Sequence, residues 1–319
     1  MGAVTAADYD ELVKTDEEFV DGLWDVVFRN DALIGRVIPL RGDGWGKYKR
    51  VNLVTAANTS VQSYQEGQTA PSRGKQTYAT AKFAYRSWRV MVGETGHALR
   101  NRGPNSEHLR GGPDTEIRLA MRDLRDKMTT DFLAAGQTYS VDGIVNNATV
   151  NFGDLSRTTH AALLSYLLNA SSATPSTALI NKAKWFSKEA PYGSRIEVWL
   201  SSATIGGNLA EVASGKLALN DIGGGMANII PEDVAAAQNI ISVPDMLTST
   251  MIGLSDVDNT WGYTNNEVGT MAGENGAVFR TRLYGSQDDS DTLQISTAGA
   301  VWSTQPQRQV KIYGLSTAL

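Results

Sequence analysis

Between Met1 and Gly136 the chain passes through four segments of unlike character, and their order restricts what it can fold into. An acidic arm comes first, followed by a long polar, β-prone stretch with a basic end. A turn-rich joint then leads into an uninterrupted amphipathic helix. In a free-standing domain the middle stretch would be an unsupported flap, with unpaired strand edges that invite other chains. Such a flap makes sense where neighbouring copies of the same protein cover it. The order of segments therefore suits a building block better than an enzyme.

Arm and flap differ in sign. Residues 1–31 hold nine acids (Asp8, Asp10, Glu11, Asp16, Glu17, Glu18, Asp21, Asp25, Asp31) against Lys14 and Arg29. Residues 73–110 hold eight bases (Arg73, Lys75, Lys82, Arg86, Arg89, Arg100, Arg102, Arg110) against Glu94 and Glu107. Two readings fit. Either these are two separately solvated faces, or one copy's acidic arm meets another copy's basic flap, since complementary patches steer association and fix register. On the second reading the intersubunit contacts are Asp16, Glu17 and Glu18 on the arm, with Arg73, Lys75, Lys82, Arg86 and Arg89 on the flap.

Apolar residues at Tyr9, Leu12, Val13, Phe19, Val20, Leu23, Trp24, Val27 and Phe28 predict a helix over 8–30, with Asp8 as a cap. Glycines and Pro39 predict extended chain over 31–50. From Val51 to Val92 the residues are mainly Thr, Val, Tyr, Ser and Gln, with alternation over Tyr78–Tyr85. The centre, Gln65 to Lys75, is almost free of apolar side chains, which predicts a long hairpin with a polar tip. Residues 100–113 form a joint. Ile117, Met121, Leu124, Met128 and Phe132 then fall in one stripe of a helix of roughly 22 residues, capped by Asp114 and stopped at Gly136. Its other face carries Arg118, Arg122, Asp123, Arg125, Asp126 and Lys127.

Beyond it the pattern alternates. Helices are predicted over 158–170, 177–189, 203–213 and 231–239. Strands are predicted at Ile196–Leu200, Asn239–Val243, Met251–Leu254, Ala277–Leu283, Leu293–Ser296 and Val310–Tyr313. The fold class is α+β with a mixed or antiparallel sheet.

Composition narrows the function. With no cysteine, thiolate chemistry and disulfides are excluded. A net charge of −5 argues against a dedicated nucleic-acid binder. The N-terminus does not read as a signal peptide, and no apolar run approaches the roughly 18 residues of a membrane span. A soluble protein made in the cytoplasm, with no membrane partner, is expected. His97, His108 and His160 have no partners at metal-ligand spacing. Gly223-Gly224-Gly225 lacks the Lys-Ser/Thr pair of a phosphate loop. Asp256-Val257-Asp258-Asn259 lacks the later ligands of a calcium loop and reads as a turn, as does Asp288-Asp289-Ser290-Asp291. No catalytic, cofactor or metal residue emerges, and the expectation is a protein that is not an enzyme.

The order of elements resembles the major capsid protein of tailed bacteriophages, whose fold was first named after a Hong Kong phage. The segments that carry the resemblance are SYQEGQTAPSRGKQTYATAKFAYRSWRV as extended loop, PDTEIRLAMRDLRDKMTTDFLAAG as spine helix, and SRIEVWLSSATIGGNLAEVASG as strand followed by helix. It implies an arm over 1–50 and an extended loop over 51–95. A peripheral domain would take 96–145 and 255–300, and an axial domain 146–254 and 301–319. It further implies self-assembly as pentamers and hexamers into an icosahedral shell around double-stranded DNA, in a virion put together in the host cytoplasm. Separate scaffolding and portal proteins would be partners, because the chain has no N-terminal coiled-coil scaffolding segment; otherwise the sequence is already the mature form. Arg118, Arg122 and Arg125 would face weakly held DNA or pair with Asp123 and Asp126. Lys75 and Lys82 lie where some members crosslink, but nothing marks a partner and no crosslink is expected. The alternatives are an encapsulin-like bacterial nanocompartment shell and, more remotely, a soluble enzyme with an unrecognised site.

Overall fold

The computed structural model describes residues 33–318 except for 45, 59, 62, 64–65, 67–68, 70–72, 96–111, 147–148, 190–195, 210–239, 244–245, 267–270, 273–277 and 285–289. The predicted helices over 8–30 and 231–239 lie outside the described residues.

The apolar stripe builds a long helix, Gly112–Leu133. Leu124, Met128 and Phe132 are buried, with Ala120 and Leu133 beside them, while Ile117 and Met121 pack at the margin of the same core. Gly136, at φ +65°, supplies the left-handed turn that ends the segment, a conformation glycine adopts at little cost. Its N–H donates to Asp142 Oδ2 at 2.8 Å.

Strands β1 (Leu40–Asp43), β2 (Tyr48–Ala56), β3 (Thr77–Ala84) and β4 (Arg86–Thr95) precede that helix. After it come β5 (Tyr166–Asn169), β6 (Ile196–Ser201), β7 (Ile240–Ser242), β8 (Thr250–Ser255) and β9 (Trp261–Asn265). They are followed by β10 (Met271–Ala272), β11 (Val278–Tyr284), β12 (Ser290–Ser303) and β13 (Val310–Tyr313). A six-stranded mixed sheet runs β1-β9-β12-β11-β10, with β4 also paired to β12. A five-stranded mixed sheet runs β5-β13-β8-β6-β7, and β2 and β3 make a separate two-stranded ladder.

The five-stranded sheet is covered on both faces, so its strands read as nearly continuous apolar runs. Leu200, Ile252 and Leu254 belong to the larger core, together with the long helix and the six-stranded sheet. Trp199, Met251, Val310 and Ile312 face a second core, filled by Ile180 and Ala183 of the helix Thr177–Glu189 and by Ile205 and Leu209 of the helical residues 203–209.

Three expectations are corrected. Residues 158–170 are not a helix: a short 3-10 turn at Ala161–Leu163 leads into β5, which pairs in parallel with β13. An apolar run this short carries no clear period, and the open edge of β13 decides its state. Secondly, the hairpin ends at Ala84 instead of Val92. β4 leaves it and pairs with β12 from Ser290↔Thr95 to Gly299↔Arg86, because Trp88, Val90 and Val92 have a core to enter. Thirdly, β12 runs over 14 residues, where only Leu293–Ser296 was expected. Gly299 interrupts the apolar pattern because Tyr263 crosses there: a Cβ at Gly299 would lie 2.1 Å from Tyr263 Oη.

Candidate assembly surface

The β2–β3 ladder has a buried root and an exposed far end. Val51, Leu53, Ala81 and Phe83 sit on its inner face and are buried. Its outer face carries Arg50 opposite Lys82, Asn52 opposite Thr80 and Val54 opposite Tyr78. Thr80 Oγ1 donates to Asn52 Oδ1 at 2.8 Å. Val54 and Tyr78 are 50% and 68% exposed, and Val61 beyond them 83%, so an apolar patch stands in water far from either core. Solitary exposed apolar residues are ordinary, but paired ones on an unsupported ladder mark a contact surface.

Root and body are locked together by the segment after the long helix. Asp154 binds Lys82, Phe152 meets Phe83 edge-on at 5.1 Å between centroids, and Gly153 at φ +60° lets its backbone approach the Lys82 carbonyl. Trp88, just past the hairpin, donates from Nε1 to Asp131 Oδ2 at 2.8 Å and packs on Phe132. The root of the β2–β3 ladder is thus tied to the larger core.

The bases named from sequence divide accordingly. Lys82 is engaged by Asp154, and the Arg86 guanidinium stacks 3.5 Å from the Tyr139 ring centroid, so both are held within their own chain. Arg89 is exposed on β4, and Arg73 and Lys75 are exposed beyond β3. Asp16, Glu17 and Glu18 lie outside the described residues. Of the helix cations, Arg122 is exposed and Arg125 half-buried, and both already have partners; the Arg118 side chain is outside what is described. Sequence reasoning missed Lys47, Lys49 and Arg50 at the hairpin root, where Lys49 lies over the Trp302 ring and Arg50 is exposed on the outer face. Only their place in the basic run Lys47-Tyr48-Lys49-Arg50 pointed to them.

The buried polar groups are structural. Lys311 Nζ lies 2.5 Å from Asp142 Oδ1, with side chains 12% and 3% exposed, and joins β13 to the short helix Val141–Ile144. Arg157, fully buried, donates to the carbonyls of Gly143 and Ile144 and lies over the Phe152 ring. Burial lowers its pKa to about 10. Among the described residues no three His, Asp or Glu side chains are grouped to hold a metal ion.

The sequence matches no protein-family model, and no curated protein matches it. Solved structures do. A capsid asymmetric unit of cyanophage A-1(L) superposes with a TM-score of 0.68 at 13% identity, over 98% of this chain and all of that one. The capsid of Myoviridae phage XM1 gives 0.56 at 8% identity over 98% and 99%. The SrpI encapsulin of Synechococcus elongatus PCC 7942, solved as a holo complex, gives 0.62 at 8% identity over 99% and 98%. The chain has the α+β fold of tailed-phage major capsid proteins.

Proposed function

We propose that this protein is the major capsid subunit of a tailed bacteriophage, a structural protein that self-assembles as pentamers and hexamers into a closed icosahedral shell around double-stranded DNA. The observation that carries this reading is the hairpin: anchored at its root, with Val54, Tyr78 and Val61 exposed beyond the root, on a fold that matches capsid subunits over 98% of this chain. A lone two-stranded ladder is marginal in water, so its distal half gains its order from a neighbour. Closed point-group assembly satisfies such a surface on every copy without open-ended fibres.

Within this reading the arm precedes β1 and the extended loop is the β2–β3 hairpin, which stops at Ala84 where β4 leaves for the six-stranded sheet. That sheet, with β1 and β4, and the long helix form the peripheral domain, and the five-stranded sheet belongs to the axial domain. Scaffolding and portal proteins are separate partners, and the shell is assembled in the host cytoplasm. Contact with DNA is weak, sequence-independent and salt-sensitive, because a subunit of net charge −5 neutralises few phosphates. The likeness to an encapsulin keeps a cargo-filled nanocompartment as the second reading.

Sedimentation and negative-stain microscopy of the purified protein test the proposal. Megadalton closed particles are expected, and monomers or dimers under all assembly conditions would refute it. Nuclease-protected DNA in particles from infected cells, as against an enclosed protein cargo, separates the two shells.

A further inference from the structure

In the six-stranded sheet Trp261 and Tyr263 of β9 enter the larger core, which leaves Gly262 and Thr264 on the opposite face. Two side chains lie flat against Gly262: a Cβ there would fall 2.5 Å from Trp302 Cζ2 and 2.6 Å from Arg41 Cγ. The indole is pinned, because Trp302 Nε1 donates to Thr264 Oγ1 at 2.8 Å. Arg41 is held by its Nε, which donates to the Trp261 carbonyl at 3.4 Å. Lys49, from the hairpin root, brings its Nζ to 5.0 Å from the Trp302 ring centroid. Two cations from different strands, β1 and β2, therefore border one indole, Arg41 exposed and Lys49 half-buried.

Neither charge is neutralised within the subunit. Lys82, Lys127, Arg308 and Lys311 each have a carboxylate partner. Among the described residues Arg41 and Lys49 are in no ion pair. The face of an indole attracts an ammonium but carries no net charge, so it orients Lys49 without cancelling it. Two like charges beside one ring repel, a cost that an anion from outside would offset. Lys47, exposed and also in no described ion pair, adds to the positive field from the hollow that Lys49 shares with Gly44 and Tyr85. An arginine fork and a lysine point charge are the groups that recognise phosphate.

We propose that Arg41 and Lys49, set around Trp302, are the subunit's contact with the sugar–phosphate backbone of packaged duplex DNA. The inference rests on the shell reading, which puts that polyanion within reach of every copy, and it names the site of contact. It moves the contact away from Arg122 and Arg125 of the long helix, which already have partners. Backbone phosphates carry no sequence information, so the contact is indifferent to sequence. Two neutralised phosphates give a slope of log K against log salt of about −1.8, at roughly −0.9 for each.

Amine labelling of lysines in DNA-filled and DNA-free shells of the full-length protein, read by mass spectrometry, tests the site. Lys49 should label at least fivefold more slowly in filled shells. Equal labelling in both overturns the proposal. So does equally slow labelling in both, the outcome if an acidic protein segment covers the site. Millimolar inorganic phosphate should leave the labelling of empty shells unchanged; slowing by phosphate alone marks a free-phosphate site and overturns the assignment to DNA. Salt titration of short-duplex binding to the full-length protein counts the charges. Arg41→Gln with Lys49→Gln should flatten the slope by about 1.8. Lys82→Gln should leave it unchanged, because Asp154 already holds that cation. Arg41→Lys with Lys49→Arg, which keeps both charges, should retain the wild-type slope and so separates lost charge from a disturbed fold. An unchanged slope in the glutamine variant overturns the proposal and leaves the shell reading intact. Failure of the wild type to form shells refutes the shell reading instead, and the titration still decides whether Arg41 and Lys49 bind duplex.

Discussion

Asp154 grips Lys82 at two atoms: its Oδ1 accepts the Lys82 backbone N–H at 2.8 Å, and its Oδ2 lies 3.4 Å from the Lys82 ammonium. The first contact matters more, because it occupies a backbone donor of β3 that the ladder with β2 leaves for other partners. A bare strand edge is an invitation to another chain, and a carboxylate placed against it closes that edge at the root. Further out, at Tyr78 and Thr80, no carboxylate among the described residues covers the strand. The hairpin is therefore closed where it meets its own subunit and open where a neighbour would lie.

Removing the grip should loosen the root without unfolding the protein. Asp154→Ala is expected to cost about 1 kcal/mol, because both side chains are nearly half exposed and the pair is screened by water. Asp154→Asn, which keeps an acceptor for the amide, should cost less. Hydrogen exchange at the Lys82 amide reads the difference: fast in the alanine variant, still protected in the asparagine one. Equal protection in all three proteins would show that the ladder alone holds that amide.

Gly299 and Tyr263 should prove to be one packing unit. A Cβ at Gly299 falls 2.1 Å from Tyr263 Oη and 2.3 Å from Cζ, and both residues lie inside strands that cannot shift independently. Gly299→Ala is expected to destabilise by about 1–3 kcal/mol, the usual cost of an overpacked core. Combined with Tyr263→Leu, the cost of the alanine should largely vanish, which denaturant unfolding of the two singles and the double would reveal as non-additivity.

These contacts also explain what could be read in advance. The long helix was readable because five apolar residues recur on one face, and the same five line the core. The helix Thr177–Glu189 and the strand Val310–Tyr313 match their expected bounds, since each ends at a change of local pattern. Elsewhere the deciding partner is remote in sequence. Tyr166–Asn169 becomes a strand because Val310–Tyr313 lies beside it, and Arg86–Thr95 joins β12 some 200 residues away. Local periodicity carries neither fact. The contact of Asp154 with Lys82 was hidden for the same reason, since the two lie 72 residues apart.

On the long helix, Asp123 should make the protein relatively more stable in acid. Burial raises its carboxyl above the ordinary range, with the Arg122 charge pulling the other way. A carboxyl whose pKa is higher in the folded than in the unfolded state contributes stability that is full below the unfolded value. That contribution is lost as pH rises through the folded one. At pH 7 Asp123→Asn should therefore melt no lower than wild type. As pH falls toward about 4, the ordinary carboxyl range, wild type should gain on the variant. Melting temperatures of the pair across that interval test the sign, and a gap constant with pH would refute it.

The apolar patch on the hairpin should matter to particles and not to the subunit. Tyr78 is 68% exposed, and its hydroxyl donates to Gln76 Oε1 on its own strand end. Tyr78→Ser is expected to leave subunit stability within about 0.5 kcal/mol, the usual range for surface changes. Aromatic side chains dominate contact energies where they become buried, so the same change should weaken assembled shells. Shell melting, measured beside subunit melting, separates the two effects.

A larger cut makes the sharpest test. The ladder ends at Ala56 and Thr77, so residues Gln65–Gln76 can be removed without touching a paired strand residue. Asn58, which donates to the Gly74 carbonyl at 3.2 Å, loses that partner, but this contact is partly solvated and lies far from either core. The root residues Val51, Leu53, Ala81 and Phe83 stay buried, and the Asp154 grip stays in place. The deleted subunit is therefore expected to show wild-type circular dichroism and melting. On the shell reading, what it would lose is the reach of the hairpin across a neighbour, including Arg73 and Lys75. Sedimentation should show capsomers formed poorly, or shells that break apart at lower temperature than wild type. If the deletion instead yields shells of wild-type number and heat resistance, the hairpin is not an intersubunit clasp.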